Sequence, residues 1–308
     1  MAKKEDKDLM DSGAKVRLGT SDKIIRGFGY TFITLYAICC IVPFLIIIGT
    51  SFASESLIRA EGVQIIPREV SLQAYRMVVK GGAIWRSYAL TILMTLVGTG
   101  VGLSIISMTG YALQRKDFAF RNGISFFIYF TSLFQAGLAP YYLLMTQTYH
   151  LKDNYLAVLL PLLMSPWLII LMKNFVKAIP HEITESGKID GAGDFRIFVS
   201  LILPMLKPAL ATIGLFLALS YWNEWYQSSL FLSSQVSVKP LQYTLYEIVN
   251  KNDMLKNSVA GQYVNLADIP QETVKMANAV LATGPIVLLY PFVQKYFISG
   301  ITVGAVKG

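Results

Sequence analysis

Residues able to do chemistry are sparse in this sequence and fall in two places. One is the polar run Ile179–Pro204, which holds Glu182, Glu185, Asp190 and Asp194 with Gly187, Gly191 and Gly193 between them. The other is Tyr221-Trp-Asn-Glu-Trp-Tyr-Gln227, where Asn223 and Glu224 interrupt an apolar stretch. Neither has the composition of a catalytic centre. The chain has two His and two Cys. The cysteines, Cys39 and Cys40, are adjacent and read as small core residues, so no metal-ligand spacing exists. There is no nucleophile–base signature and no phosphate-cradling glycine loop. The expectation is a protein with no catalytic residue, no metal site and no cofactor of its own.

Glu224 admits two readings. A carboxylate inside a membrane segment is expensive, which marks it as functional by default. Trp222, Trp225 and Tyr226 beside Asn223 and Glu224 suit a sugar: rings cover C–H faces and polar groups bond hydroxyls. Alternatively, Asn223 and Glu224 bond neighbouring helices or broken backbone, and the aromatics form an interface belt. Gln135 and Tyr141, which flank Pro140 with Tyr142, are further candidates for a substrate path.

The elements that must carry these residues are membrane helices. Of 308 residues, 54% are hydrophobic and 15% charged, with a mean hydropathy of +0.50. Soluble domains are about a quarter charged. A bilayer core of about 30 Å needs roughly 20 apolar residues in a helix. Six runs qualify: 27–52, 88–113, 123–145, 155–176, 209–232 and 276–297. The fold class is therefore all-α, a polytopic protein with six transmembrane helices. Residues 1–26 form an N-terminal tail and 299–308 a C-terminal tail. Pro43, Pro140, Pro161, Pro166, Pro285 and Pro291 are expected to interrupt or kink spans. The outer segments Ser54–Arg86 and Ser233–Lys275, with Tyr75, Tyr243, Tyr246 and Tyr263, are expected to form short interfacial helices.

With both termini inside, 17 Lys/Arg fall on the inner side and 10 on the outer. The net +8 then divides as +7 inside, +2 outside and −1 in the membrane. The basic excess is a topology signal, not a nucleic-acid footprint. The run 179–208 becomes a cytoplasmic loop with helix punctuation. Pro180 suits a helix start, Gly191 a left-handed cap and Asp194 an N-cap for a second helix. Phe195, Phe198, Val199 and Ile202 would share one face, with Pro204 ending the helix.

This loop resembles a family. Glu185-Ser-Gly-x-x-Asp190-Gly191, then nine residues, then Leu201-x-Leu203-Pro204, is similar to the EAA loop of ABC importer permeases. Ser186, Gly187 and Leu201 differ from the consensus by small-for-small and aliphatic-for-aliphatic changes. Asp190-Gly191-Ala192, Gly110–Phe118, Trp222-Asn223 and the ending Gly-Ala-Val-Lys-Gly308 resemble the carbohydrate (MalG-like) branch. The Tyr290–Phe297 context looks closest to the LplC/YtcP-like subgroup.

The resemblance implies a type I ABC importer permease in a bacterial cytoplasmic membrane. It would form a heterodimer with a second homologous permease. Two ABC ATPase subunits would supply ATP and Mg, and an extracytoplasmic solute-binding protein would deliver an oligosaccharide. The resemblance also implies roles for residues. Glu185, Ser186, Gly187, Asp190, Gly191, Ala192, Phe195 and Pro204 would couple to the ATPase. Gly304, Lys307 and Gly308 would reach into the ATPase interface. A permease for a non-sugar solute and a stand-alone secondary carrier are the alternatives. A proton-coupled carrier would want carboxylates or His in several spans, and only Glu224 qualifies.

Overall fold

The computed structural model describes residues 20–80, 82–257 and 272–305. Apart from one isolated antiparallel bridge, Ala53 to Val70, the regular structure among them is helical. Helix α1 (Thr20–Ser51) is apolar on all sides, and Ile24–Ser51 is almost wholly exposed in the single chain. A helix apolar all round belongs against lipid or another chain. Cys39 and Cys40 are exposed on it. They are not core residues, because α1 contributes little to the chain's own interior.

The centre is α4 (Ala83–Gln114). It packs along α8 (Pro166–Lys177) and α11 (Lys207–Trp222), and small residues let it do so. A methyl on Gly98 would stand 2.3 Å from the Tyr221 ring, and one on Gly110 2.6 Å from Met172. Backbones approach closely at such positions, the small-residue rule of membrane helix packing. The Tyr221 hydroxyl donates to Leu159 O at 2.8 Å, so the buried phenol is satisfied. The largest apolar cluster lies at the far end of α4, where Ile106 and Tyr111 meet Met172, Ile197, Phe198, Ile202 and Ile213.

Several spans are broken. Helices α5 (Arg121–Leu133) and α6 (Leu138–Thr148) meet at 114°. The run 123–145 is therefore not one straight helix. Helix α5 ends where Phe134 turns extended; Gly137, at φ +92°, is the residue before α6, and Pro140 then sits in the first turn of α6. Met164 and Ser165 separate α7 (Leu156–Leu163) from α8, whose first residue is Pro166. Residues 223–225 separate α11 from α12 (Tyr226–Phe231). Pro43, Pro161, Pro285 and Pro291 lie inside continuous helices, so these four do not interrupt their spans. Glycine and polar residues, rather than most of the prolines, set the breaks.

Among the described residues, three helices are long and apolar enough to cross a membrane, or five if each bent pair is one span. A further 34-residue helix, α14 (Glu272–Ala305), packs against α1 and α11. It runs past the expected boundary at 298.

Short helices cover the end where α4 begins: α2 (Glu55–Glu61), α3 (Gln73–Lys80) and α13 (Leu241–Asn257). They are tied to the spans by polar contacts. The Glu55 carboxylate accepts from Thr273 N (3.0 Å), Thr273 Oγ1 (2.9 Å) and Glu272 N (3.3 Å), capping α14. Thr91 Oγ1 accepts from Leu241 N at 2.9 Å. Tyr263 lies outside the described residues.

Candidate functional site

At the opposite end of α4 the polar run folds as two helices, α9 (Glu182–Ile189) and α10 (Asp194–Met205). Gly191 has φ +74°, and the chain closes α9 with two bonds. Ala192 N donates to Gly187 O (2.9 Å) and Gly191 N to Lys188 O (3.0 Å). This is a Schellman cap, with glycine at the residue that must be left-handed. Gly187 is buried, and a methyl there would stand 3.0 Å from both Ile197 Cγ1 and Leu201 Cδ1. A small residue thus seats α9 on α10.

Two sequence expectations need correcting. Asp194 is the first residue of α10, and Gly193 stands at the cap position. The apolar stripe is also rearranged. Phe198 and Ile202 are buried, but Phe195 is 71% exposed and Val199 points outward as well. Ile197 and Leu201 take their places. The cause is a widened π-type turn over Phe198–Ile202, which breaks the 3.6-residue period. Pro204 has no N–H for the carbonyl four residues back, and its ring crowds that turn. Helix α10 carries on to Met205, one residue past Pro204.

A charge cluster fastens both helices to the end of α4. Arg115 Nε donates to Asp117 Oδ1 at 2.9 Å, and Arg115 Nη1 lies 2.7 Å from Asp194 Oδ1. Lys188 Nζ donates to Asp117 Oδ2 at 2.7 Å. Arg115 first, and then Lys188, hold the Asp117 carboxyl well below the usual carboxylate range. Beneath the cluster, Tyr111 and Phe198 bring their rings within 5.2 Å. Arg115 thus links α4 to the start of α10, and Asp117 links it to the last turn of α9. Sequence reading did not assign roles to Arg115, Asp117 or Lys188. The signal was an Arg and an Asp two residues apart just past a long apolar helix.

Facing away from the bundle, Glu185, Ser186, Asp190 and Phe195 are exposed, as is Ile189 at 86%. Ala192 is half-buried and Pro204 exposed. His181 Nε2 lies 3.7 Å from Glu185 Oε1. Gly304 is in the last turns of α14, and Lys307 and Gly308 lie outside the described residues.

The second polar site is the break between α11 and α12. Glu224 is 7% exposed. Its Oε1 accepts from Gln227 N (2.5 Å) and Ser228 N (3.3 Å), and Oε2 accepts from Ser228 Oγ at 2.6 Å. The carboxylate caps α12. Trp222 is half-buried and its Nε1 donates to Ala282 O at 3.1 Å, binding α11 to α14. Asn223, Trp225 and Tyr226 are exposed. Trp225 stacks on Tyr246 of α13 at 4.7 Å between centroids, and Gln242 Nε2 donates to Asn223 Oδ1 at 3.5 Å. Tyr141 Oη donates to Gln227 Oε1 at 2.9 Å, joining α6 to α12. Gln135 is exposed in the separate break between α5 and α6. The motif therefore splits: Trp222 and Glu224 face inward as structural ties, while Asn223 and Trp225 join Gln242 and Tyr246. Gln242 escaped sequence reading, and Tyr246 was read only as part of an outer helix, because both lie about twenty residues away on another helix. No cluster of metal-ligating side chains occurs among the described residues.

The model of the family described as "Binding-protein-dependent transport system inner membrane component" matches residues 113–303. The chain belongs to this family of ABC importer permeases. It is 36% identical over 279 residues to the polygalacturonan/rhamnogalacturonan transport system permease protein YtcP of Bacillus subtilis, covering 91% of this chain and 96% of that protein. It is 35% identical over 268 residues to protein LplC of the same organism, covering 87% and 90%. The crystal structure of a bacterial ABC transporter involved in import of the acidic polysaccharide alginate contains a similar chain. That chain is 30% identical with a TM-score of 0.77, and the match covers 91% of this chain and 99% of that one. As a transport subunit of this family, the permease is not an enzyme. Membership also removes the stand-alone carrier alternative.

Proposed function

We propose that this permease imports an oligosaccharide as one half of a heterodimer with a second homologous permease. Two ABC ATPases bind on the cytoplasmic side and hydrolyse ATP with Mg, and an extracytoplasmic binding protein delivers the sugar. Both termini are cytoplasmic, and six spans cross the bilayer: α1, α4, α5 with α6, α7 with α8, α11 with α12, and α14. The carbohydrate assignment draws on two of the relatives: YtcP is described as a polygalacturonan/rhamnogalacturonan transport system permease protein, and the similar solved chain belongs to a transporter involved in alginate import.

The observation that carries the mechanism is the fastening of α9 and α10 to α4. Glu185, Ile189 and Phe195 form an outward knob of one carboxylate and two large apolar side chains. This suits a partner cleft with a basic residue at its rim. When ATP closes the ATPases, the knob moves with them. A floppy loop would absorb that motion. Here Gly187 packing and the Arg115-centred ion pairs pass it to α4, which touches both α8 and α11. The polar cap of Glu224, the exposed Asn223, Trp225, Tyr226 and Tyr246, and the half-buried Gln242 lie at the far end, beside the path we assign to the sugar. The role proposed for the C-terminal Gly304, Lys307 and Gly308 is contact with the ATPase pair.

Uptake by cells with and without this chain tests the reading. Labelled oligomers of alginate, polygalacturonan and neutral sugars are the substrates. Loss of uptake for at least one glycan on deletion is expected. Unchanged uptake of every glycan, with loss of an amino acid or phosphonate instead, would overturn it.

A further inference from the structure

Beside the coupling unit, two cavities flank the end of α4, and their charges differ. In the first, of about 700 Å³, Arg115 and Lys188 are each paired with Asp117 or Asp194, and Glu182 and Glu185 offset Lys116 and Lys177, which line both cavities. The second, of about 610 Å³, is framed by the end of α4, the start of α5 and the last turns of α8. Lys116, Arg121, Lys173 and Lys177 line it, and no carboxylate does. None of these four cations forms an ion pair among the described residues. Lys173 donates to Ser125 Oγ at 2.9 Å, which holds a half-buried ammonium across the cavity between α8 and α5. Arg121 reaches only a carbonyl, that of Arg115, at 3.4 Å. Helix α5 begins there without a side-chain cap, so its positive dipole end adds to the field.

The position of the cations is equally informative. Lys116 lies just past α4, Arg121 opens α5 and Lys177 closes α8. These are the ends of apolar helices, the level at which a membrane protein meets lipid headgroups. Lys173 lies one turn, about 6 Å, farther along the apolar helix. Beyond it the cavity wall turns apolar at Ile128 and Ile170. The outer side of α5 continues as exposed Phe126, Phe127 and Phe130. An anion with a hydrocarbon tail fits that sequence of surfaces, whereas a free anion would use only its polar end.

We propose that this cavity binds the phosphate of an anionic phospholipid headgroup, with the acyl chains lying along the aromatic side of α5. Basic pockets between membrane helices on the cytoplasmic side are suited to such headgroups. The proposal takes the side of the membrane from the importer reading above and nothing else.

The test is native mass spectrometry of the complete importer released from vesicles of mixed phosphatidylglycerol and phosphatidylcholine. We expect retained phosphatidylglycerol in preference to phosphatidylcholine. The doubly substituted Arg121→Gln/Lys173→Gln complex should retain it at least about tenfold less, since each cation near an anionic headgroup is worth about fivefold. Lys173→Arg, which keeps the charge, should retain it. Inorganic phosphate added in excess should leave the lipid bound. Equal retention of the two lipids, or undiminished retention by the double variant, would overturn the proposal. Displacement by inorganic phosphate would also overturn it, in favour of a free-anion site. If the double variant does not assemble, Lys177→Gln in the same assay decides, with the same preference either weakened or unchanged. Lipid retention is read without transport, so a failed importer reading leaves this result standing or falling by itself.

Discussion

The two polar regions of the permease use charge in opposite ways. At the coupling end, Arg115, Asp117, Lys188 and Asp194 are partly exposed and paired with one another across three segments. At the break after α11, Glu224 is buried and has no cationic partner among the described residues. Backbone N–H groups and a serine satisfy it. Exposed ion pairs are individually weak, about 0–1 kcal/mol. A buried carboxylate that accepts three hydrogen bonds cannot be removed without leaving donors unmet. On the proposed reading, the coupling end transmits position with little effect on folding. The break is built to hold an interrupted helix together.

That contrast can be broken by experiment, beginning with the largest effect. Glu224→Ala should destabilise the permease by about 3 kcal/mol, because Gln227 N, Ser228 N and Ser228 Oγ lose their acceptor. Thermal unfolding of the purified complex reads this. Glu224→Gln should lose less, since an amide oxygen still accepts from the backbone. Equal stability of Glu224→Ala and wild type would remove the cap role. A changed sugar preference in a stable Glu224→Gln would return the side chain to the substrate path.

Gly191→Val should cost about 1–2 kcal/mol, the penalty for a side chain in the left-handed region. It should lower transport at the same time by loosening the cap of α9. Asp117→Asn should change stability by less than about 1 kcal/mol. It should nevertheless reduce uptake per ATP hydrolysed, because both Arg115 and Lys188 lose their shared carboxylate. A fall in stability with unchanged coupling would make the cluster a mere surface tie. The smallest effect is on pH. Arg115 and Lys188 depress the Asp117 carboxyl, so its contribution is fully present above the ordinary carboxylate value near ~3.9. That contribution is lost only as pH falls through the lower, folded-state value. Coupling by wild type should then be insensitive to Asp117 titration between neutral pH and about pH 5. Measuring uptake per ATP across that range checks it.

Much of this molecule was readable from sequence, for reasons that differ by region. Helices α1 and α4 are uninterrupted apolar runs, and their length alone identifies them. Gly191 was readable because few residues tolerate φ +74°. The burial pattern of α10 was not, since the π-type turn before Pro204 shifts the register by one residue. Phe195 thereby moved from an expected core face to the outside. The bend between α5 and α6 was hidden inside an apolar run, where Gly137 gives no periodic signal. The Arg115–Asp117–Lys188–Asp194 cluster joins residues up to 79 positions apart, and no local pattern reports such pairing. Trp225 was singled out, but its stacking partner Tyr246 was noted only as part of an outer helix.

The central claim is that ATPase motion enters through the knob around Glu185. The most direct test is Glu185→Lys in the complete importer reconstituted into vesicles. ATP hydrolysis stimulated by the loaded binding protein and sugar uptake are measured together. Glu185 is exposed and tied only loosely to His181, so the complex should assemble and unfold as wild type does. Opposing like charges cost several kcal/mol at an interface, so stimulation and uptake should each fall at least about tenfold, equivalent to ~1.4 kcal/mol. A fully assembled Glu185→Lys complex with normal stimulated hydrolysis and normal uptake would contradict the account.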